Sequence, residues 1–222
     1  LKSSKVIKYP GYHELAYLHP KHFTPDINIL DELNVQPQDK YVIVRFVSWN
    51  ASHDKGHNGI SFENKVRALR VFEKYAKVFI SSEKELPREL KPFQIKIAPE
   101  KIHDAIAFSS LLFGESSTMA EEAAMLGVPS VYMYNGSTIY TQHLEKEYGL
   151  IYNFSESESD QESAIKKGEE LLQSATTKNE WNKKRNKMLL DKIDVTAFLV
   201  WFVEYYPKSA KIMKENPDYQ YN

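Results

Sequence analysis

Cysteine is absent from this chain of 222 residues. Disulfides and thiolate metal sites are therefore excluded. An excess of charge is absent too, because 29 basic and 30 acidic residues leave a formal net charge of -1. The longest strongly apolar run, residues 197–203, is far shorter than the roughly 20 residues that a membrane span needs. These absences predict a protein with no nucleic-acid partner and no transmembrane segment.

Familiar catalytic motifs are missing as well. The sequence contains no G-x-S-x-G nucleophile elbow, no Walker loop and no G-x-G-x-x-G after a strand. No signal peptide is visible, so we expect a cytoplasmic protein, with membrane association left open. Because the chain begins with Leu1 rather than Met, we interpret it as a piece of a longer protein.

Strand and helix patterns alternate through the middle of the chain. The run at residues 41–47, YVIVRFV, is apolar and rich in β-branched residues, which is typical of a buried parallel strand. Further strands are predicted at residues 77–81, 94–97, 111–113, 130–134 and 150–152, with helical spacing in between. The alternation predicts an α/β fold, a Rossmann-like three-layer α/β/α domain with a mostly parallel sheet of about six strands.

The same patterns divide the chain into three regions. Residues 1–39 are irregular and contain four prolines, so we interpret them as a linker or arm. Residues 40–192 are predicted to form the Rossmann-like domain, and residues 193–222 a C-terminal apolar helix and tail. The helical pattern at residues 195–206 is apolar almost all round. That helix must be buried, against this chain or against a part of the protein that the sequence lacks.

The segment at residues 114–129, GESSTMAEEAAMLGVP, is the most informative part of the sequence. Thr118 and Glu121 have the spacing of a capping box, and Gly127 and Pro129 mark the end of the helix. The N–H groups at the start of a helix that follows a buried strand bind anions, and phosphate is the anion we expect. The segment therefore predicts a nucleotide or nucleotide-sugar ligand.

One carboxylate on this helix is a candidate ligand contact. Glu122 lies at the edge of the face that carries Met119, Ala123 and Leu126, whereas Glu121 points away from it. Because a carboxylate beside an apolar stripe needs partners, Glu122 either pairs with a nearby Arg or Lys or accepts hydrogen bonds from sugar hydroxyls. His103, at the start of the preceding helix, is either a surface residue or a ring beside the nucleotide base.

The loop at residues 48–61 follows the first strand, so it would lie at the sheet edge where such folds bind ligands. Its His53 and His57 could share a zinc ion only if the segment were helical. Gly56, Asn58 and Gly59 argue against a helix there. We therefore predict no metal site.

Residues 97–133 resemble the C-terminal nucleotide-sugar domain of GT-B enzymes. The resemblance extends to UDP-N-acetylglucosamine 2-epimerases and to an uncharacterised bacterial and archaeal family related to them, in which segments like YPGYHELAYLHP, YVIVRFVSWNASH and GESSTMAEEAAMLGVPS occur in this order. It runs from about residue 9 to residue 152. The epimerase motif reads Asp-Ser-Gly-Gly-x-x-Glu-Glu-Ala before Leu-Gly-x-Pro. Here Ser116 and the acidic pair are kept, while Glu115 replaces the aspartate and Ser117-Thr118 replace the two glycines.

The resemblance implies roles for several residues. The backbone N–H groups of Ser116, Ser117 and Thr118 would hold the diphosphate, and Glu122 would hold the ribose hydroxyls. Arg45 and His53 would contact phosphate. The alternative is that Arg45 ends its strand in solvent and His53 is an ordinary loop residue. The catalytic residues stay unassigned, with Glu115 and His53 as candidates, and no cofactor is expected besides the nucleotide-sugar substrate.

GT-B enzymes have two Rossmann-like domains with the active site between them, and this chain resembles the C-terminal one. The resemblance implies the nucleotide-sugar-binding half, with UDP-sugar as donor, of a glycosyltransferase-like enzyme of surface polysaccharide biosynthesis. Its expected partners are the missing N-terminal domain and a second copy of the chain, and the piece alone is expected to be inactive. One alternative is a UDP-sugar 2-epimerase-like enzyme. The other is a non-catalytic docking or assembly module on the same fold.

Overall fold

The computed structural model describes residues 6–47, 59–82, 85–136 and 138–221. The chain forms two compact units, one of Leu1–Thr24 with Asn186–Asn222, and one of Pro25–Arg185. The larger unit contains the sheet and the sequence segment at residues 114–129.

A parallel sheet of five strands forms the centre of the larger unit, with the strand order β2-β1-β3-β4-β5. The strands are β1 (Tyr41–Phe46), β2 (Lys77–Ser82), β3 (Leu111–Gly114), β4 (Ser130–Met133) and β5 (Ile151–Phe154). In β1, the residues from Tyr41 to Val44 are buried on both faces, as their apolar run predicts. The predicted α/β fold with a parallel sheet is confirmed.

Residues 94–97 do not form the additional strand that their apolar pattern predicts. In the part of the chain that the structure describes, they add only an isolated parallel bridge between Gln94 and Ile80, where the Ile95 N–H donates to the Ile80 carbonyl at 2.9 Å. The chain then leaves the edge of β2, because a 3-10 helix begins at Pro99. The described residues therefore form five strands where the sequence predicts about six, and the strand predicted at residues 94–97 is wrong.

Helices cover both faces of the sheet. Tyr41 in β1 donates its hydroxyl hydrogen to the Ala105 carbonyl on one face, at 2.5 Å. On the other face, Phe72 contacts Phe113 of β3 with ring centroids 5.0 Å apart. The α-helices are α1 (Leu15–Leu18), α2 (Ile29–Glu32), α3 (Phe62–Phe72), α4 (Ile102–Phe108), α5 (Ser117–Leu126), α6 (Ile139–His143), α7 (Glu158–Gln173), α8 (Thr177–Asp191), α9 (Val195–Glu204) and α10 (Lys208–Glu215). Helix α3 packs on α7, and α4 packs on α5, which completes the three layers.

Helix α5 is buried from Met119 to Leu126. Three of its residues are alanines, which allow neighbouring elements to approach closely. It ends at Gly127, whose φ of 74° is the left-handed conformation typical of a helix C-terminus. The Arg185 guanidinium on α8 donates to the Met125 carbonyl at 2.5 Å, which satisfies one of the carbonyl groups of the last turn.

The smaller unit joins the two ends of the chain. Helix α9 packs on α1, where the Thr196 hydroxyl donates to the Ala16 carbonyl. Val195 and Phe198 are buried, but Val200 and Val203 are 50% and 72% exposed. One face of this helix is therefore buried within the chain, and the other face is exposed. Within the described residues, no helix combines the length and the apolar character needed to cross a bilayer.

Candidate functional site

The candidate site lies at the carboxyl edge of the sheet, between β1 and β3. From β1 the chain continues to β2 on one side, while β3 pairs with β1 on the other side. Such a reversal of strand order leaves a crevice beyond the strand ends, where α/β sheets bind ligands. Arg45 of β1 is aligned with Gly114 of β3 at this point.

Gly114 allows β3 and β1 to approach closely. Its φ is 153°, and a Cβ atom at this position would lie 2.1 Å from the Arg45 carbonyl oxygen. The next residue, Glu115, donates its N–H to the same oxygen at 3.1 Å. Only glycine fits here, because any side chain would collide with backbone atoms.

The N-terminus of α5 begins directly after this turn, and its N-cap is Ser116. The Ser116 hydroxyl accepts a hydrogen bond from the Met119 N–H at 3.3 Å, and its carbonyl accepts from the Ala120 N–H at 3.1 Å. The capping box predicted at Thr118 and Glu121 is therefore wrong by two residues. Both Ser116 and Thr118 suit a cap, and the turn after Gly114 places the serine there.

The N–H groups of Ser117 and Thr118 have no acceptor within the helix, as at the start of any α-helix. Ser117 is half-buried and Thr118 is exposed. Burial raises the pKa of Tyr132 on the neighbouring strand β4, so this tyrosine stays protonated at neutral pH. The start of α5 therefore offers two N–H donors, which is chemistry suited to an anion.

Glu122 and His103 form a pair at the same edge. His103 Nε2 lies 2.9 Å from Glu122 Oε1, with the Glu122 side chain 9% exposed and the His103 ring 26% exposed. Helix α4 runs toward β3, so its first turn, which carries His103, lies at the carboxyl edge. The sequence identifies Glu122 and His103 as two separate candidate ligand contacts. The structure shows that they lie within hydrogen-bond distance of each other.

The second carboxylate of α5 is also enclosed. Glu121 is 6% exposed, and its Oε1 accepts a hydrogen bond from the Thr138 hydroxyl at 3.2 Å. The sequence places Glu121 away from the apolar face, and the loop before α6 covers it. The threonine was not among the predicted site residues, because only the tertiary contact brings it to α5.

Glu115 is buried, and its carboxylate binds backbone N–H groups. Its Oε2 accepts from the Val47 N–H at 2.9 Å, its Oε1 accepts from the Ile60 N–H at 2.5 Å, and Lys65 Nζ lies 3.7 Å away. The side chain has no exposed area. Val47 and Ile60 flank the segment at residues 48–58, so Glu115 joins the two ends of that segment. This arrangement is typical of a structural carboxylate, and sequence reasoning missed it.

Arg45 ends β1 at the candidate site. Its Nη1 donates to the Ser81 hydroxyl of β2 at 3.0 Å. Because side chains alternate along a strand, Arg45 lies on the same face of the sheet as Tyr41, the face that α4 covers. Of the other predicted site residues, His53 and the neighbouring His57 lie outside the described residues.

Comparison with solved structures shows the same fold. The chain is similar to a structure of S. aureus MnaA with UDP, with a TM-score of 0.61, 13% identity, and coverage of 94% of this chain and 55% of that one. It is also similar to a UDP-N-acetylglucosamine 2-epimerase, with a TM-score of 0.56, 14% identity and coverage of 94% and 54%. A third is WaaG, a glycosyltransferase involved in lipopolysaccharide biosynthesis, with a TM-score of 0.56, 11% identity and coverage of 83% and 51%.

These likenesses confirm the expected Rossmann-like fold of GT-B glycosyltransferases and UDP-sugar epimerases. The chain spans 51% to 55% of the length of the three solved structures. A comparison with curated proteins gives no match. Residues 2–197 match the family described as "Protein of unknown function (DUF354)", and the chain belongs to this family.

Proposed function

We propose that the larger unit binds the nucleotide part of a nucleotide sugar, with a UDP-sugar as donor, at the crevice between β1 and β3. The diphosphate lies against the N–H groups at the start of α5, and Arg45 supplies positive charge. The Glu122 carboxylate accepts hydrogen bonds from the ribose hydroxyls, and His103 holds that carboxylate beside the base.

One observation carries this proposal: a close-approach glycine, a helix N-terminus and a buried carboxylate all meet at the switch in strand order. Gly114 keeps the turn tight, so the N–H groups of Ser117 and Thr118 lie just beyond β3. Glu122, one turn further along α5, is hydrogen-bonded to His103, a titratable ring.

As an enzyme, the full-length protein would act as a glycosyltransferase of surface polysaccharide biosynthesis, with this chain as the donor-binding half. N–H groups and an arginine at the diphosphate stabilise the charge that develops on the leaving group. Epimerisation would instead need acid–base residues that face the sugar. Because the Glu115 carboxylate is engaged by backbone N–H groups, we favour transfer over epimerisation.

A non-catalytic docking module is the other candidate, and one observation favours it. Val200 and Val203 of α9 are apolar and largely exposed, as expected of a face that contacts a partner protein. Such a module would not respond to nucleotides, so the experiment on the nucleotide site also separates these two functions.

The test is calorimetric titration of the chain with UDP, GDP, CMP and ADP, followed by UDP-sugars. We expect UDP to bind. The Glu122→Gln variant should weaken UDP binding at least tenfold, about 1.4 kcal/mol or more, because it removes a charged acceptor from the ribose. The Arg45→Ala variant should abolish detectable binding while the fold is retained.

Glu121→Gln is the matched control, because it removes a carboxylate of equal burial from the neighbouring position of the same helix. Its UDP affinity should stay within about twofold of the original chain, a difference of about 0.4 kcal/mol. If Glu121→Gln alone loses UDP affinity, Glu121 rather than Glu122 contacts the ribose. Absence of binding for every nucleotide would contradict the proposal and favour the docking module.

A further inference from the structure

A second cluster of polar side chains lies in the smaller unit. His19, His22 and Asp194 each offer one ligand atom, and these atoms all lie within 4.8 Å of one another. His22 Nε2 is already 2.9 Å from Asp194 Oδ1. The two histidines follow α1, and the aspartate precedes α9, so the cluster joins both ends of the chain.

Asp194 is held in place by the local fold. As the N-cap of α9, its Oδ1 accepts a hydrogen bond from the Ala197 N–H at 3.0 Å. Burial alone would raise the pKa of Asp194, but hydrogen bonds from Ala197, His22 and Lys21 outweigh it and lower the pKa to about 2. These hydrogen bonds therefore favour the ionised carboxylate in the folded protein.

The donor set matches one class of ion. Two imidazoles with one carboxylate, and room for a fourth ligand, are a common zinc donor set. Ligand atoms around tetrahedral zinc are about 3.4 Å apart, given metal–ligand distances of about 2.0–2.1 Å. The separations in this cluster need only a small side-chain movement to reach that geometry. By contrast, calcium and magnesium prefer sites built from oxygen atoms alone.

We propose that His19, His22 and Asp194 bind a divalent transition-metal ion of the zinc class. The ion replaces the direct contact between His22 and Asp194, and one coordination position is left for water or a ligand. Asp194 also lines a cavity of about 650 Å³ whose wall includes Phe198, Trp201 and Tyr219. A ligand on the metal therefore has space beside aromatic rings in the smaller unit.

The Lys21 ammonium competes with a metal ion for the Asp194 carboxylate. Its ammonium nitrogen lies 3.4 Å from Asp194 Oδ2, and its backbone N–H donates to His19 Nδ1 at 3.2 Å. The ammonium is a competing cation on the same carboxylate, and it is largely exposed. The Lys21→Ala variant should therefore bind zinc more tightly. If Lys21 and Asp194 formed only a structural ion pair, removing Lys21 would not raise the affinity for zinc.

The test is titration of the full chain, freed of metal with a chelator, with zinc chloride in a non-coordinating buffer. We expect one zinc ion per chain, and with cobalt chloride the visible absorption of a tetrahedral site. His22→Gln should weaken zinc binding at least tenfold. Asp194→Asn should do the same while it keeps the helix cap, because asparagine caps a helix as well as aspartate does. Lys21→Ala should tighten binding about three- to tenfold.

Two controls make the result decisive. His143→Gln removes an exposed histidine elsewhere and should leave zinc binding unchanged. The double variant His53→Gln/His57→Gln removes the other histidine pair of the sequence and should also leave it unchanged. The proposal is overturned if zinc does not bind saturably, if binding depends on His53 and His57 instead, or if Lys21→Ala leaves the affinity unchanged or weaker.

Discussion

At the scale of single residues, Gly114 has the most restricted position in the candidate site. Ala at this position would have to adopt a φ of 153° and place its Cβ atom 2.1 Å from the Arg45 carbonyl oxygen. We expect Gly114→Ala to lower the free energy of unfolding by about 3 kcal/mol or more, through backbone strain and a collision with backbone atoms. Urea denaturation measures this difference.

Gly149 is the control for the glycine prediction. It also has a positive φ, 61°, but the nearest atom to an added Cβ is a lysine side-chain nitrogen at 3.5 Å. Gly149→Ala should therefore cost only about 1 kcal/mol, the strain of the left-handed conformation. Equal losses in the two variants would contradict the close approach of β3 and β1.

Glu115 offers a second test at this scale. Glu115→Gln would turn an NH₂ group toward one of two backbone N–H donors, those of Val47 and Ile60. We expect a loss of about 2–4 kcal/mol in the free energy of unfolding, because a buried donor is left without an acceptor and a charged hydrogen bond is lost. Urea denaturation at neutral pH gives the value.

Glu162→Gln is the control, because it shows how far the free energy of unfolding changes when an exposed carboxylate is removed. Glu162 forms an ion pair with Arg67 on the surface, and both side chains are more than half exposed. Its removal should change the free energy of unfolding by less than about 0.5 kcal/mol. If Glu115→Gln were as mild, Glu115 would be available for chemistry and its structural role would be wrong.

At the scale of elements, the start of α5 decides which N–H groups face the proposed ligand. The Ser116 hydroxyl caps the helix, whereas Thr118 is exposed in its first turn. Ser116→Ala should lower the free energy of unfolding by about 1 kcal/mol, as for other lost caps. Thr118→Ala is the matched change in the same turn, and it should stay within about 0.5 kcal/mol of zero. If urea denaturation shows a larger loss for Thr118→Ala than for Ser116→Ala, the predicted capping box at Thr118 is right.

The pairing of α4 with α5 explains why a helical pattern alone gives an incomplete account of Glu122. The pattern indicates that the carboxylate lies beside the apolar stripe and needs a partner. It cannot identify that partner, because His103 is 19 residues away in sequence and on another helix. The two become neighbours only when both helices pack on the same face of the sheet.

At the scale of the whole molecule, the larger unit contains the entire sheet and every described residue of the proposed nucleotide site. A fragment of residues 25–191, which keeps α8 whole, should therefore unfold cooperatively in urea. It should bind UDP as the complete chain does. A broad, non-cooperative transition would show that the larger unit does not fold by itself.

The control fragment for this prediction ends at residue 173 and lacks α8. Trp181 on that helix is 1% exposed, and its indole N–H donates to the Leu150 carbonyl at 2.9 Å. Without it, a large part of the core beside β5 is exposed to water. The shorter fragment should therefore fail to unfold cooperatively.

The sequence by itself determined the class of fold and the place of the candidate site. Both depend on local properties: the apolar run of β1, the alternation of strands with helices, and a small polar turn between β3 and α5. The extra strand at residues 94–97 was a wrong prediction. Four residues of apolar pattern do not decide whether a chain stays at a sheet edge.

Only the tertiary structure decided what the individual carboxylates do. Glu115, Glu121 and Glu122 occupy one short stretch of sequence. One binds the backbone N–H groups of Val47 and Ile60, one a threonine, and one a histidine. In the proposed metal site, His22 likewise contacts Asp194, which is 172 residues away in the sequence. Such partners are set by which elements pack together, and the physical reason is that a buried charge takes whatever donors the fold brings within hydrogen-bond distance.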